Sequence, residues 1–197
     1  MRLIAVLLIA AFLFLPIAST SAKDPIRDAI VELKDKDGNT FCSAFVINKK
    51  IKLLMTADHC VKTVPFVNKV EVEEVFHIPA LDVAIIKAPN LGSNQLSLDA
   101  TERVIKARET VTSYGYANGK SLKTIKQQVM IELLIIPPRD QFMLIAPAII
   151  PGMSGGPVLD VFGKVVSINQ MYGEPPSNVA LSVPMTIIYP LSRHFWD

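Results

Sequence analysis

The chain has 197 residues, of which half are hydrophobic and 19% are charged. This length and apolar content suffice for one compact domain or for two small, closely joined halves. The formal net charge is only +2, and no basic run exceeds the pair Lys49-Lys50. The charge pattern therefore favours neither nucleic-acid binding nor attraction to an anionic membrane surface.

The first 22 residues have the pattern of a secretory signal peptide. Arg2 supplies a positive charge, residues 3–18 are almost wholly apolar, and residues 19–22 are small and polar. We predict cleavage after Ala22 and export to a secreted or periplasmic location. The alternative is an uncleaved segment that anchors the protein in a membrane, although the apolar run is short for a span, which takes about 20 residues.

Short apolar or alternating runs, separated by turn signals, predict β-strands in the next part of the chain. The strongest turn signal is Lys36-Asp37-Gly38-Asn39. Strand candidates recur about every ten residues with little helical periodicity, which is typical of an antiparallel sandwich or barrel. The runs lie at residues 29–33, 41–47, 51–55, 67–76 and 82–87.

Residues 90–108 are richer in polar and turn-forming residues and predict a connector. Strand signals then resume, and Asn118-Gly119 predicts a hairpin turn. Residues 184–195 predict a closing loop and a short helix that Pro190 limits. We therefore expect a first β-rich half at 23–98, a linker at 99–108 and a second half at 109–197. The strand candidates of the second half lie at residues 109–116, 124–136, 141–145, 158–169 and 179–183.

The two cysteines, Cys42 and Cys60, both lie in the part that we expect to be exported. An even number of cysteines in an oxidising compartment suggests a disulfide, and two free buried thiols are the alternative. Together with His59, His77 and His194 the cysteines show no metal-ligand spacing. We predict neither a metal nor a cofactor.

Ser154 lies in a glycine-rich stretch, Pro151-Gly152-Met153-Ser154-Gly155-Gly156-Pro157. Glycines permit a sharp turn and a close approach of the backbone to a ligand. Such a turn can present a hydroxyl group together with N–H donors for a developing oxyanion. Serine needs an activating base to be a good nucleophile. The question is then where the chain supplies that base and a group to orient it.

Three stretches resemble the motifs of the chymotrypsin-like serine peptidases. Thr56-Ala57-Asp58-His59-Cys60 resembles the motif around their histidine, Asp82-Val83-Ala84-Ile85-Ile86 the one around their aspartate, and residues 152–157 the one around their serine. The order along the chain is also theirs. Residues 148–169 are most similar to the HtrA branch, although we expect no PDZ domain here. The resemblance implies an all-β fold of two six-stranded antiparallel β-barrels with the active site in the cleft between them.

The resemblance also implies the residue roles of a secreted serine endopeptidase that acts on proteins or peptides. His59, Asp82 and Ser154 would be catalytic as base, orienting carboxylate and nucleophile. The N–H groups of Gly152 and Ser154 would form the oxyanion hole. The pair of Cys42 and Cys60 is similar to the family's disulfide beside the histidine.

Two departures from the family sharpen these expectations. Met153 replaces the acidic residue that pairs with a freed N-terminus in the digestive branch, so we expect the loop to be held by its surroundings. Ala148, near the expected floor of the substrate pocket, carries no carboxylate. A preference for Lys or Arg is therefore disfavoured, and a small or medium apolar side chain is expected.

Three alternatives remain open. The nucleophile stretch also fits the G-x-S-x-G pattern of an α/β-hydrolase, but that pattern needs a following helix and the order Ser, acid, His. A non-catalytic binding protein on the same fold is the second alternative. The third concerns Asp58, which could orient His59 in place of Asp82. Neighbouring side chains on an extended backbone point apart, which disfavours it.

Overall fold

A computed structural model describes residues 25–119, 121–136, 139–172 and 177–196. The predicted signal peptide, residues 1–22, lies outside them. The described residues form thirteen strands and one α-helix. Their bounds are β1 Ile30–Lys34, β2 Thr40–Asn48, β3 Leu53–Ala57, β4 Phe66–Val67, β5 Val70–Glu71, β6 Glu73–Ile78, β7 Val83–Lys87, β8 Thr110–Ala117, β9 Ser121–Ile136, β10 Arg139–Ala146, β11 Pro157–Leu159, β12 Val165–Tyr172, β13 Ala180–Pro184 and α1 Met185–Ser192.

The strands of the first half form one curled sheet in the order β5-β4-β1-β2-β3-β7-β6. The turn between β1 and β2 follows the sequence signal, since Gly38 has φ +86 and the Asp35 carboxylate accepts hydrogen bonds from the N–H groups of Asp37 and Asn39. One predicted strand, residues 67–76, is divided into β4, β5 and the start of β6. Asn68 and Lys69 both have positive φ and turn the chain there.

The strands of the second half close into a six-stranded antiparallel barrel in the order β10-β13-β12-β11-β8-β9. The predicted hairpin joins β8 to β9, and its residues Asn118 and Gly119 have φ 50 and 66. The all-β, chymotrypsin-like fold is therefore confirmed. The first half differs in detail from the expected six-stranded barrel, because it is a seven-stranded half-barrel.

Each half has a hydrophobic cluster of its own, and a further cluster is shared by both halves. Strands of both sheets bury side chains in it, because each sheet has one apolar face to cover. The C-terminal segment adds aromatic contacts, with Trp196 against Phe45 and Phe195 against Phe76. The shared core includes Phe45, Ile47, Met55, Ile85, Leu159, Val165, Ile168, Val183 and Ile188. Among the described residues, no helix has both the length and the apolar character needed to cross a membrane.

Candidate active site

His59 and Asp82 meet because their strands pair. β3 and β7 are antiparallel with Ala57 opposite Val83, so the residues that follow β3 and precede β7 lie at the same end of the sheet. The two Asp82 carboxylate oxygens bond to His59 alone. One accepts from its backbone N–H at 2.8 Å, and the other lies 2.7 Å from its ring Nδ1. The carboxylate thus fixes both the position and the orientation of the imidazole ring.

Asp82 is itself held in an uncommon backbone conformation. Its φ of 54 and ψ of 47 lie in the left-handed region, which Asp tolerates better than most residues. Its carbonyl oxygen accepts from the Asp58 N–H at 3.0 Å and from the Gln170 side-chain amide at 2.9 Å. The residue is only 2% exposed. Asp82 is therefore held by hydrogen bonds to its backbone carbonyl as well as to its carboxylate.

Asp58 points to a different histidine. Its Oδ1 lies 3.2 Å from Nδ1 of His77, a half-exposed residue on β6 that also approaches Glu74. Asp82 is therefore the carboxylate bonded to His59, and the alternative that placed Asp58 there is wrong. The third histidine, His194, is exposed and packs against Phe195, with the two ring centroids 4.0 Å apart.

Ser154 lies in the loop between β10 and β11, against the first half. Its carbonyl oxygen accepts a hydrogen bond from the Ser43 N–H at 2.8 Å and lies 3.9 Å from Sγ of Cys60, the residue after His59. Its hydroxyl donates to the Gln170 carbonyl oxygen at 2.8 Å. The Ser154 carbonyl thus contacts the residue that follows His59, and the Ser154 hydroxyl is hydrogen-bonded to the second half.

Two N–H groups of this loop, those of Gly152 and Ser154, point away from the hydrogen-bonded carbonyls of their own peptide units. In a trans peptide unit the C=O and N–H point in opposite directions. The Pro151 carbonyl accepts from the Asn118 N–H at 2.8 Å, which directs the Gly152 N–H the other way. The Met153 carbonyl accepts from the Gly156 N–H at 3.0 Å, which does the same for the Ser154 N–H. Among the described residues, neither N–H has an acceptor.

Met153 anchors the loop in the core of the second barrel. Its side chain is fully buried among apolar neighbours that include Val111, Val158 and Ile149. Its N–H donates to the Ile150 carbonyl at 3.0 Å. The expectation that the loop is held by its surroundings is confirmed.

Cys42 and Cys60 form the predicted disulfide, with their Cα atoms 6.0 Å apart. It joins β2 to the short helical turn that carries His59. Ligand atoms of Cys42, His59 and Cys60 lie within 4.8 Å of one another, as in a metal site. However, the metal ligand that cysteine provides is a thiolate, and both sulfurs are committed to the disulfide.

Gln170 is the site residue that sequence reasoning missed. It lies on β12, is almost fully buried, and contacts both Asp82 and Ser154. No local motif in the sequence marks it as a site residue. The predicted pocket residue Ala148 is partly exposed, and its N–H donates to the Asn178 side chain at 3.0 Å. Its part in substrate preference stays a prediction.

Comparisons with known proteins agree with the chymotrypsin-like fold described above. The trypsin-like peptidase domain family matches residues 42–168, more than half of the chain. Among solved structures, the Mycobacterium tuberculosis protease Rv3671c in its inactive form has a TM-score of 0.71 and 19% identity, covering 86% of this chain and 89% of that chain. The MamO protease domain from Magnetospirillum magneticum has a TM-score of 0.70 and 18% identity, with coverages of 85% and 97%.

The HtrA-type protease AlgW, in a structure with a tripeptide, has a TM-score of 0.71 and 16% identity and covers 85% of this chain and 60% of that chain. At these identities the likeness to solved structures is one of fold. No curated protein matches the sequence significantly.

Proposed function

The chain belongs to the trypsin-like peptidase family, and from that premise we propose that it is a serine endopeptidase that works through an acyl-enzyme intermediate. Ser154 is the nucleophile, His59 the general base and Asp82 the orienting carboxylate. The observation that carries the proposal is the double hydrogen bond between Asp82 and His59. With Nδ1 bonded to a carboxylate, Nε2 is the ring nitrogen left to accept a proton.

The reaction begins when the Ser154 hydroxyl leaves the Gln170 carbonyl and turns to Nε2 of His59. As the oxygen attacks the substrate carbonyl carbon, its proton passes to the imidazole. The N–H groups of Gly152 and Ser154 bind the oxyanion of the tetrahedral intermediate. The imidazolium then gives its proton to the leaving amine, and the C–N bond breaks. Water, deprotonated by His59, releases the acyl group in the same way.

A non-catalytic binding protein on the same fold is the second candidate. One observation favours it, since the Ser154 hydroxyl is bonded to Gln170. Against it, catalytic hydrogen bonds in enzymes without substrate are often long or poorly aligned and tighten only in the complex. The hydrogen bonds between Asp82 and His59 also support the enzyme.

Labelling with a fluorophosphonate probe separates the two candidates. The purified protein is expected to be labelled at Ser154 and to cleave casein, whereas Ser154→Ala and His59→Ala lose both properties. His77→Ala is the matched control, because it removes the other histidine that pairs with an aspartate near the site. The control should keep both properties. A folded wild-type protein that neither reacts nor cleaves would rule out the enzyme.

We also infer that the protein is exported and acts on proteins or peptides outside the cytosol. The sequence of residues 1–22 and the Cys42–Cys60 disulfide support export, because disulfides persist in oxidising compartments. The intact mass of the protein recovered from its native host is expected to correspond to a chain that begins at Lys23. A mass that includes residues 1–22 would instead support membrane anchoring.

A further inference from the structure

We propose that Ser43 is a positioning residue that fixes the oxyanion-binding peptide units of the nucleophile loop, an inference that rests on the proposed function. Ser43 lies on β2 of the first half and is 0% exposed. Its hydroxyl donates to the Gly152 carbonyl at 2.8 Å and accepts from the Tyr116 N–H at 2.8 Å. Ser43 thus joins a side chain of the first half to the backbone of the nucleophile loop in the second half.

The bonded carbonyl belongs to the peptide unit between the two oxyanion donors. The Gly152 N–H lies on the unit before it and the Ser154 N–H on the unit after it. Gly152 has φ +93, in a region open to glycine, so the backbone here has more freedom than at other residues. A donor on the Gly152 carbonyl removes that freedom. The Ser43 hydroxyl therefore fixes the angle between the two N–H groups.

The backbone of Ser43 holds the same loop from the other side. Its N–H donates to the Ser154 carbonyl at 2.8 Å, and its own carbonyl accepts from the Thr56 hydroxyl at 2.7 Å. Thr56 lies three residues before His59 on β3. One residue thus connects the strand of the base with the carbonyl groups of Gly152 and Ser154.

Serine suits this position because its hydroxyl both donates and accepts, and because the space is small. Packing is close around it, since a Cβ added at Gly115 would lie 3.0 Å from the Ser43 hydroxyl oxygen and 2.8 Å from Cα of Met153. A larger side chain has no room, and alanine removes the hydroxyl that bonds to the partly buried Gly152 carbonyl and Tyr116 N–H.

The test compares Ser43→Ala with Ser192→Ala. Ser192 is 1% exposed, and its hydroxyl also donates to a carbonyl, that of Ile188, and accepts from an N–H, that of the Trp196 indole. It lies at the end of α1, and both of its partners lie in the C-terminal segment. The two variants remove the same pattern of hydrogen bonds, so both should lose stability in urea unfolding.

Only Ser43→Ala is expected to lose activity. Since removing an oxyanion donor costs about 10²–10³ in kcat, misplacing one should lower kcat about 10- to 100-fold. KM should change little, because the loop carbonyls are not the groups that bind the rest of the peptide. Affinity for a peptide aldehyde, which forms a tetrahedral adduct with the serine, should fall in parallel with kcat.

Ser43→Gly serves if the alanine variant does not fold. Removing the whole side chain leaves room for a water molecule that can bridge the same two groups. The kcat of Ser43→Gly should lie below that of wild type, by less than the 10- to 100-fold loss expected for Ser43→Ala. A kcat for Ser43→Ala or Ser43→Gly equal to wild type, or an equal loss in Ser192→Ala, would overturn the inference. An unreactive wild-type protein would refute the proposed function itself, and the inference with it.

Discussion

The two halves of the molecule contribute different kinds of groups to the cleft. The first half provides side chains, His59 and Asp82, at the ends of two paired strands. The second half provides the Ser154 hydroxyl and otherwise backbone groups, namely the N–H groups of Gly152 and Ser154 and the Gln170 carbonyl. Side-chain chemistry depends on which residue is present, whereas the backbone of the loop depends on side chains being absent. Substitutions in the two halves should therefore fail for different reasons.

Replacing Asp82 by Asn should abolish chemistry while sparing the fold. Asn tolerates the left-handed conformation of this residue and keeps the side-chain shape. Its amide cannot stabilise the imidazolium and favours the wrong histidine tautomer, which costs about 10⁴ in kcat in enzymes of this chemistry. Peptide hydrolysis and thermal unfolding measure the two effects separately.

Asp58→Asn is the matched control on the other side of His59. Its carboxylate bonds to His77, so kcat should change little. If Asp58→Asn lost as much activity as Asp82→Asn, the assignment of the orienting carboxylate would be wrong.

Gly155→Ala should damage the fold of the second half and its docking on the first. Gly155 has φ +79, and an added Cβ would lie 2.2 Å from the Thr56 hydroxyl oxygen and 2.3 Å from the Ser43 carbonyl oxygen. Backbone strain and this overlap together should cost about 3 kcal/mol or more in the free energy of unfolding. Chemical denaturation measures the loss.

Gly38→Ala separates strain from overlap. Gly38 has φ +86, but an added Cβ meets nothing within 4 Å. It should cost only the strain of a left-handed residue, about 1 kcal/mol. Equal losses at the two glycines would show that close packing of the loop against the first half contributes nothing.

Glu109→Gln tests the linker between the halves, where the smallest effect is expected. The Lys106 N–H and the Arg103 guanidinium hold the pKa of Glu109 below its ordinary value of 4.5. The charged carboxylate therefore contributes stability above pH 4.5, and this contribution disappears as the pH falls through the lowered pKa. Because both side chains are about one-third exposed, the difference at pH 7 should stay below about 1 kcal/mol.

Unfolding followed from pH 7 to pH 3 should show wild type and Glu109→Gln converging at the acid end. Activity at pH 7 should be the same for both. A difference in stability that grows on acidification would contradict the assigned direction of the pKa shift.

Local sequence predicted most of the strands and the pairing of His59 with Asp82. β2 and β8 lie within one residue of the expected runs, because alternation reports a sheet with one buried face. The His59 and Asp82 motifs stand at strand ends, where antiparallel pairing brings them together. The division of residues 67–76 into three strands was missed, since neither Asn68 nor Lys69 forms a conspicuous turn signal.

The parts that sequence could not predict depend on contacts between the halves. The Ser43 hydroxyl bonds to a residue 109 positions away, and the Gln170 amide to one 88 positions away. Both residues lie in strands that are mostly buried, where a polar side chain does not indicate its partner. Closure of a sheet is also a long-range property, which explains why the seven-stranded half-barrel was expected to be a closed barrel of six strands.

Phe195 and Trp196 are synthesised late but pack on the first half, which constrains the order of folding. Phe195 and Trp196 pack on Phe76 and Phe45, with ring centroids 5.5 and 6.3 Å apart. A nascent chain emerges from its N-terminus, so the first half is made while the rings that cover this face have not yet been translated. The pairing of His59 with Asp82 needs only the early strands. The hydrophobic core that the two halves share is therefore complete only after residues 195 and 196 have been made.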